Sequence, residues 1–253
     1  MDLPVDNLVC LTVDVEWAHA DVLAHTVRLL DQHGLRATFF CTHAGIRVPG
    51  HERALHPNFR RNGDTVRGLR ERAPKDFADL TDRDLYAAVV RHTQAWAPEA
   101  KGVRAHSLLY DSELVGVYRE ATLEYDSSYC LHLVANLQPF WKEHGLLELP
   151  IYYMDHLDLI EQRTGFCLDT LALERSGLKV FDFHPNLVFI NAPTNEFYQE
   201  TRSFYQDPQR LGQAQYQGRG VGRLFVDLLD HIASRGLPTA TLGEVSDAWR
   251  SRS

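Results

Sequence analysis

The segment Leu8-Val9-Cys10-Leu11-Thr12-Val13-Asp14-Val15-Glu16-Trp17 is an apolar run that acquires two carboxylates at its end. Its apolar part predicts a buried strand, along which side chains alternate between faces. Asp14 and Glu16 are therefore expected to point the same way, at the rim where the strand meets solvent. Two carboxylates so placed repel each other unless a divalent metal, an arginine or a shared proton lies between them. The plainer alternative is a strand running out into a polar loop, with Glu16, His19 and Asp21 opening the next helix.

The rest of the chain repeats this pattern. Val22, Leu23, Thr26, Val27, Leu29 and Leu30 form a helical stripe stopped by Gly34, and residues 37–42 follow as a short buried strand. Strand, helix and strand with tight connections predict a parallel βαβ unit. Residues 43–80, punctuated by Pro49-Gly50 and Asn62-Gly63-Asp64, predict a long irregular loop. Helices are expected over 82–96, with Thr81 as N-cap, over 112–121, in part of 170–174, over 221–234 and over 244–249. Further strands are expected within 101–106, 146–153, 180–183 and 239–242, and a mobile polar segment over 194–220. Arg104 and His106 share one strand face, as do Asp182 and His184. Strands alternating with helices, each strand ending in Asp, Glu, Arg or His, predict an α/β barrel with its site at the C-terminal rim.

At 253 residues, 44% hydrophobic and 24% charged, the chain can bury one sizeable core, and residues 1–253 are expected to form a single domain. A net charge of −8 without a basic stripe argues against a nucleic-acid partner. The densest basic stretch, residues 53–72, is interrupted by Asp64 and Glu71 and predicts a solvated loop. No segment approaches the ~20 apolar residues of a membrane span, and residues 1–6 lack the basic and apolar parts of a secretory signal, so a cytoplasmic protein is expected. Cys10, Cys41, Cys130 and Cys167 are far apart, with no Cys-x-x-Cys, and are expected to be reduced core residues.

The polar strand ends collect Asp14, Glu16, His56, Arg104, His106 and His184, an inventory that suits metal-assisted hydrolysis. An ion held by a carboxylate and imidazoles acidifies water, a second carboxylate takes the proton, and a histidine protonates the leaving group. Each residue also has a structural alternative. Leu55-His56-Pro57-Asn58 could be a simple turn, His106 could hydrogen-bond a loop, and strand-end histidines are often structural.

The order of these motifs resembles the polysaccharide deacetylase family, carbohydrate esterases with the NodB homology domain and a distorted (β/α) barrel. The resemblance spans residues 8–242. Thr12-Val13-Asp14-Val15-Glu16 is similar to the family's first motif, which implies Asp14 as general base and Glu16 as metal ligand. His51-Glu52-Arg53-Ala54-Leu55-His56 is similar to the second, which implies His56 as metal ligand. Gly102-Val103-Arg104 matches the arginine motif that orients the base, Tyr125-Asp126-Ser127-Ser128 is a phrase common in the family, and Phe183-His184-Pro185 corresponds to the last motif, with His184 as general acid. A divalent metal is implied, zinc first, with cobalt, nickel or manganese as alternatives. One departure stands out: the family's second metal histidine usually lies four residues after the first, where this chain has Arg60. His106 is the first substitute ligand and Asn58 the second. Phe140, Trp141, Tyr152 and Tyr153 are candidates for stacking on sugar faces, with core packing expected for at least half of them. The expected function is metal-dependent removal of an acyl group, N-acetyl foremost, from a sugar in a cytoplasmic precursor of a surface polysaccharide. The alternative is a non-catalytic carbohydrate-binding protein on the same fold with an incomplete metal site.

Overall fold

The computed structural model describes residues 5–73 and 80–252. Residues 74–79 of the expected long loop, and residues 1–4 of the stretch read for a secretory signal, lie outside them. The strands are β1 (Val9–Asp14), β2 (Ala37–Cys41), β3 (Glu52–Leu55), β4 (Gly102–Val103), β5 (Tyr125–Asp126), β6 (Phe140–Trp141), β7 (Leu147–Glu148), β8 (Ile151–Met154) and β9 (Lys179–Phe183). The helices are α1 (Ala20–Gln32), α2 (Asp64–Arg72), α3 (Asp82–Gln94), α4 (Ser112–Glu120), α5 (Asp155–Glu161), α6 (Pro185–Phe189), α7 (Asn195–Thr201), α8 (Pro208–Gln213), α9 (Val221–Arg235) and α10 (Leu242–Arg250).

One sheet runs in the order β6-β7-β5-β4-β3-β2-β1-β9-β8, with only the edge pair β6/β7 antiparallel. It curls into a half-barrel. An isolated bridge between Cys130 and Ile151 draws the β8 edge toward the chain that leaves β5. Because the other strands are parallel, their C-terminal ends lie on one side, so polar residues that follow them collect there. Alternation along β1 and β9 sorts the core. Val9, Leu11, Val13, Phe181 and Phe183 face the layer holding α1, α6 and α9. Cys10, Val180, Phe40 of β2, Ala54 of β3 and Tyr125 of β5 fill the concave side. A third cluster joins β3 and β4 to α2, α3 and α4.

Local chemistry explains the well-read helices. Thr81 and Asp84 form a reciprocal cap on α3, and Gly236 takes φ +58° after α9, a conformation cheap only for glycine. Other expectations need correction. The loop expected over 43–80 contains β3 and α2, and the segment expected to be mobile over 194–220 contains α7 and α8. The strand expected over 146–153 is two strands, split at Leu149-Pro150, where proline has no N–H to offer a ladder. The last expected strand is a single bridge from Val9 to Thr239, because Thr241 instead caps α10 together with Glu244. Cys10 and Cys41 are buried free thiols, as expected, whereas Cys130 and Cys167 are half-buried. Tyr152 and Tyr153 are buried, while Phe140 and Trp141 are exposed.

Candidate active site

The strand ends build a cleft of about 860 Å³ lined by Asp14, Glu16, His106 and His184, among others. Asp14 closes β1, His56 follows β3, Arg104 follows β4, Ser127 follows β5, Asp155 follows β8 and His184 follows β9. The ladder continues past the short strands, with the Arg104 N–H donating to the Leu55 carbonyl (2.9 Å) and the Ser127 N–H to the Val103 carbonyl (2.9 Å). This holds the Arg104 side chain on the concave side.

Arg104 is fully buried and organises the floor. Its Nη1 donates to Asp14 Oδ1 (2.9 Å), Asp182 Oδ1 (2.6 Å) and Thr12 Oγ1 (2.9 Å). Its Nε and Nη2 donate to the Ser127 carbonyl and hydroxyl, and the guanidinium lies 4.1 Å over the Phe40 ring. Two buried carboxylates thus share one cation, and their proton affinities separate. Burial pushes Asp14 up, but the charges of His56, Arg104 and His184 more than reverse this and hold it below its ordinary value. Burial and the neighbouring Asp14 push Asp182 up to about 8 despite Arg104, and among the described residues its Oδ2 has no hydrogen-bond partner.

Beside this floor, Glu16, His56 and His106 converge. Glu16 Oε1 lies 3.0 Å from His56 Nε2 and 2.7 Å from His106 Nδ1. His56 Nδ1 is 2.8 Å from the Arg104 carbonyl, which can only accept, so Nδ1 carries hydrogen and Nε2 is the ligand-type nitrogen. A neutral His56 would then aim a lone pair at a carboxylate, a clash that either a bound cation or a proton on Nε2 relieves. Burial disfavours the imidazolium, yet Asp14 and Glu16 raise the His56 pKa, and the two histidines hold Glu16 well below its usual range despite burial. A carboxylate and two imidazoles whose donor atoms lie within 4.8 Å of one another fit a divalent transition-metal ion. The first-choice substitute, His106, is the imidazole that joins the cluster. Asn58 lines the cleft, but its side-chain oxygen accepts from the Arg60 N–H (3.0 Å) in a local turn.

Asp14, Asp182 and His184 form a second close group, also within 4.8 Å. Its carboxylates are already bridged by the Arg104 guanidinium, and His184 Nδ1 donates to Asp155 Oδ1 (2.6 Å), so this group is built for protons rather than for an ion. Burial opposes charge on His184, but Asp155 outweighs it and raises the imidazole well above its ordinary pKa.

Two routes into the site differ from expectation. Asp14 and Glu16 share the cleft, but strand alternation is not the reason: β1 ends at Asp14, and Glu16 and Trp17 have φ of 49° and 54°. Two consecutive non-glycine residues in the left-handed region need outside support. Tyr205 Oη donates to the Glu16 carbonyl (2.7 Å), Gln206 Nε2 to the Trp17 carbonyl (2.6 Å), and the Trp17 N–H to Thr42 Oγ1 (3.0 Å). His106 likewise lies on a 3-10 turn after Ala105 rather than on a strand, with the Trp17 ring edge-on at 5.3 Å. Sequence reading left out Asp155, Asp182, Ser127 and Tyr205. Asp182 carried a signal in its shared strand face with His184, and Ser127 in the Tyr125-Asp126-Ser127-Ser128 phrase.

The family model for WbmS-like polysaccharide deacetylases matches residues 11–202. The chain belongs to this family. Among solved structures it is similar to a Bordetella bronchiseptica protein described as a candidate polysaccharide deacetylase involved in O-antigen biosynthesis, with 26% identity over 88% of this chain and 90% of that one and a TM-score of 0.74. Likenesses with TM-scores below 0.5 include a carbohydrate esterase family 4 pseudoenzyme from Bacillus anthracis (13% identity, 96% of this chain and 66% of that one, TM-score 0.47). They also include the peptidoglycan deacetylase PdaC from Bacillus subtilis (10% identity, 97% and 92%, TM-score 0.49). No curated protein matches the sequence. Membership implies carbohydrate deacetylase activity. Among the described residues, no helix is long and apolar enough to cross a membrane.

Proposed function

We propose that the chain is a single catalytic domain that hydrolyses an acyl group, foremost N-acetyl, from a sugar in a cytoplasmic precursor of a surface polysaccharide. Glu16, His56 and His106 would hold a divalent ion, zinc first. The observation that carries this reading is the pairing of that carboxylate–imidazole triad with a separate, Arg104-organised proton-transfer group in one cleft. The surface-polysaccharide setting is carried over from the Bordetella relative.

When bound, such an ion supplies Lewis acidity, polarising the acyl carbonyl and making water acidic enough to attack near neutral pH. Asp14 accepts the proton of the attacking water. Its Oδ1 is fixed by Arg104 while Oδ2 stands 3.6 Å from His56 Nε2, facing the triad. His184, oriented through Nδ1 by Asp155, delivers a proton to the departing sugar nitrogen as the C–N bond breaks, so acetate and the free amine leave. The half-buried His156 ring, 5.6 Å from His184, and Tyr198 wall the acid's side of the cleft.

A non-catalytic carbohydrate-binding protein is the competing reading, and the complete three-ligand set supports catalysis over it. The test is acetate release from a panel of N-acetylated sugars by metal-loaded protein. Asp14→Asn and His184→Ala are each expected to lower the rate roughly 10²–10⁴-fold with the fold retained. Unchanged rates in both variants would overturn the mechanism.

A further inference from the structure

The acids lining the cleft are already engaged. Asp14 is bound to Arg104, Glu16 to His56 and His106, and Asp64 to Arg67. Two arginines in the same lining are not: among the described residues neither Arg60 nor Arg202 has a carboxylate within ion-pair distance. Each guanidinium is steered by a neutral acceptor instead. Arg60 Nη2 donates to Ser107 Oγ (2.7 Å), beside His106, and Arg202 Nη1 to Gln199 Oε1 (3.3 Å). These contacts orient the forks without neutralising them. The two come from different walls, Arg60 from the turn after β3 and Arg202 from the chain after α7, where its charge reaches His156, Tyr198 and Tyr205.

With 34 acidic against 26 basic side chains, the chain has ample means to cancel such charges, yet inside this cleft it leaves two standing. A neutral glycan gains little from exposed guanidinium groups. An oxyanion gains charge-assisted, two-pronged hydrogen bonds and is drawn in by the local field. Resting on the deacetylase reading of the same cleft, we propose that the sugar substrate carries an oxyanion, a phosphate ester or a carboxylate, held between Arg60 and Arg202.

Calorimetry on the metal-loaded protein tests this with N-acetylglucosamine, N-acetylglucosamine 1-phosphate and an N-acetylated hexosaminuronate as probes. At least one charged sugar is expected to bind about 100-fold or more tightly than the neutral one, with an advantage that shrinks as sodium chloride is raised. Which charged sugar leads separates phosphate from carboxylate. Arg60→Gln and Arg202→Gln should each cut the charged-to-neutral affinity ratio roughly 10- to 100-fold, the range for a hydrogen bond to a charged group. Arg60→Lys and Arg202→Lys should keep part of it. Metal content and circular dichroism check that the variants keep site and fold. Equal or undetectable binding of charged and neutral sugars, or a ratio unchanged in the double glutamine variant, overturns the proposal. Acetate release from the same probes is read separately: its absence with the charged-sugar preference intact defeats the deacetylase reading and leaves the anion site standing.

Discussion

At the scale of residues, the proposed function turns on which groups would hold a cation and which would hold protons. Glu16 receives both His56 Nε2 and His106 Nδ1 at one oxygen, whereas Asn58 spends its oxygen on the Arg60 backbone. His106→Ala is therefore expected to weaken zinc binding about 100-fold or more, and Asn58→Ala to leave it within a few-fold, measured by competition with a chromogenic chelator. The reverse order would reassign the third ligand. Asp182 makes a separate prediction about pH. Its carboxyl titrates at about 8 in the folded protein against an ordinary 3.8, so between those values the folded state holds a proton that the unfolded state has released. Its contribution to stability is thus full below the unfolded value and is lost as pH rises toward 8. The slope reaches up to about 1.4 kcal/mol per pH unit. Asp14 has the opposite sign, a contribution present above its unfolded value and lost as the pH falls below it, and stays out of this window. Urea unfolding from pH 5 to 8 should show a fall in stability that Asp182→Asn makes shallower, the remainder coming from His56 and His184, whose raised pKa values act with the same sign above the ordinary imidazole value. Parallel curves for the two proteins would refute the assignment.

At the scale of elements, the short strands work because something outside them holds them in place. β4 has only two residues, yet it positions Arg104, which directly follows it, and its Gly102 explains the Gly-Val-Arg phrase physically. A Cβ at Gly102 would sit 1.8 Å from Cζ of Tyr125, whose hydroxyl donates to Glu52 Oε1 (2.9 Å) on the neighbouring β3. Gly102→Ala must displace that ring and is expected to cost about 1–3 kcal/mol, the usual range for overpacking a core. Tyr125→Ala alone should also destabilise, but the double variant should lose less than the sum, since alanine removes the atoms the new methyl meets. A strictly additive double-mutant cycle would show that the contact is not the cause. The left-handed turn at Glu16-Trp17 depends on distant elements in the same way, through Tyr205 and Gln206, which follow α7.

At the scale of the whole molecule, the cation triad joins chain segments far apart in sequence, from the ends of β1, β3 and β4. An ion that binds only the folded chain adds stability by mass action, about 2.7 kcal/mol at 100 times its dissociation constant. For a chain of this size that corresponds to a melting temperature roughly 5–10 °C higher. Chelated protein should melt lower by that amount and recover on adding zinc, while Glu16→Gln should show no response. An equal zinc response in Glu16→Gln would place the ion elsewhere.

The sequence by itself determined the elements with strong local signals and the site residues that stand next to buried strands. The capped α3, the glycine-stopped α9, the β1–α1–β2 unit and the positions of Asp14, Arg104 and His184 all follow from period, capping and the polar end of an apolar run. Only the tertiary structure decided which partners complete them. Asp155, Asp182, Ser127 and Tyr205 come from segments 23 to 189 positions away from the groups they hold, and their hydrogen bonds leave no local pattern to read. Glu16 reaches the cleft through left-handed backbone held by Tyr205, and His106 through a 3-10 turn whose N–H donates to the Pro57 carbonyl (3.0 Å), where a strand rule assigns the same side for a different reason. The two-residue strands β4 and β5 and the split of β7 from β8 are likewise set by neighbours in the sheet, because two residues are too few for periodicity to register.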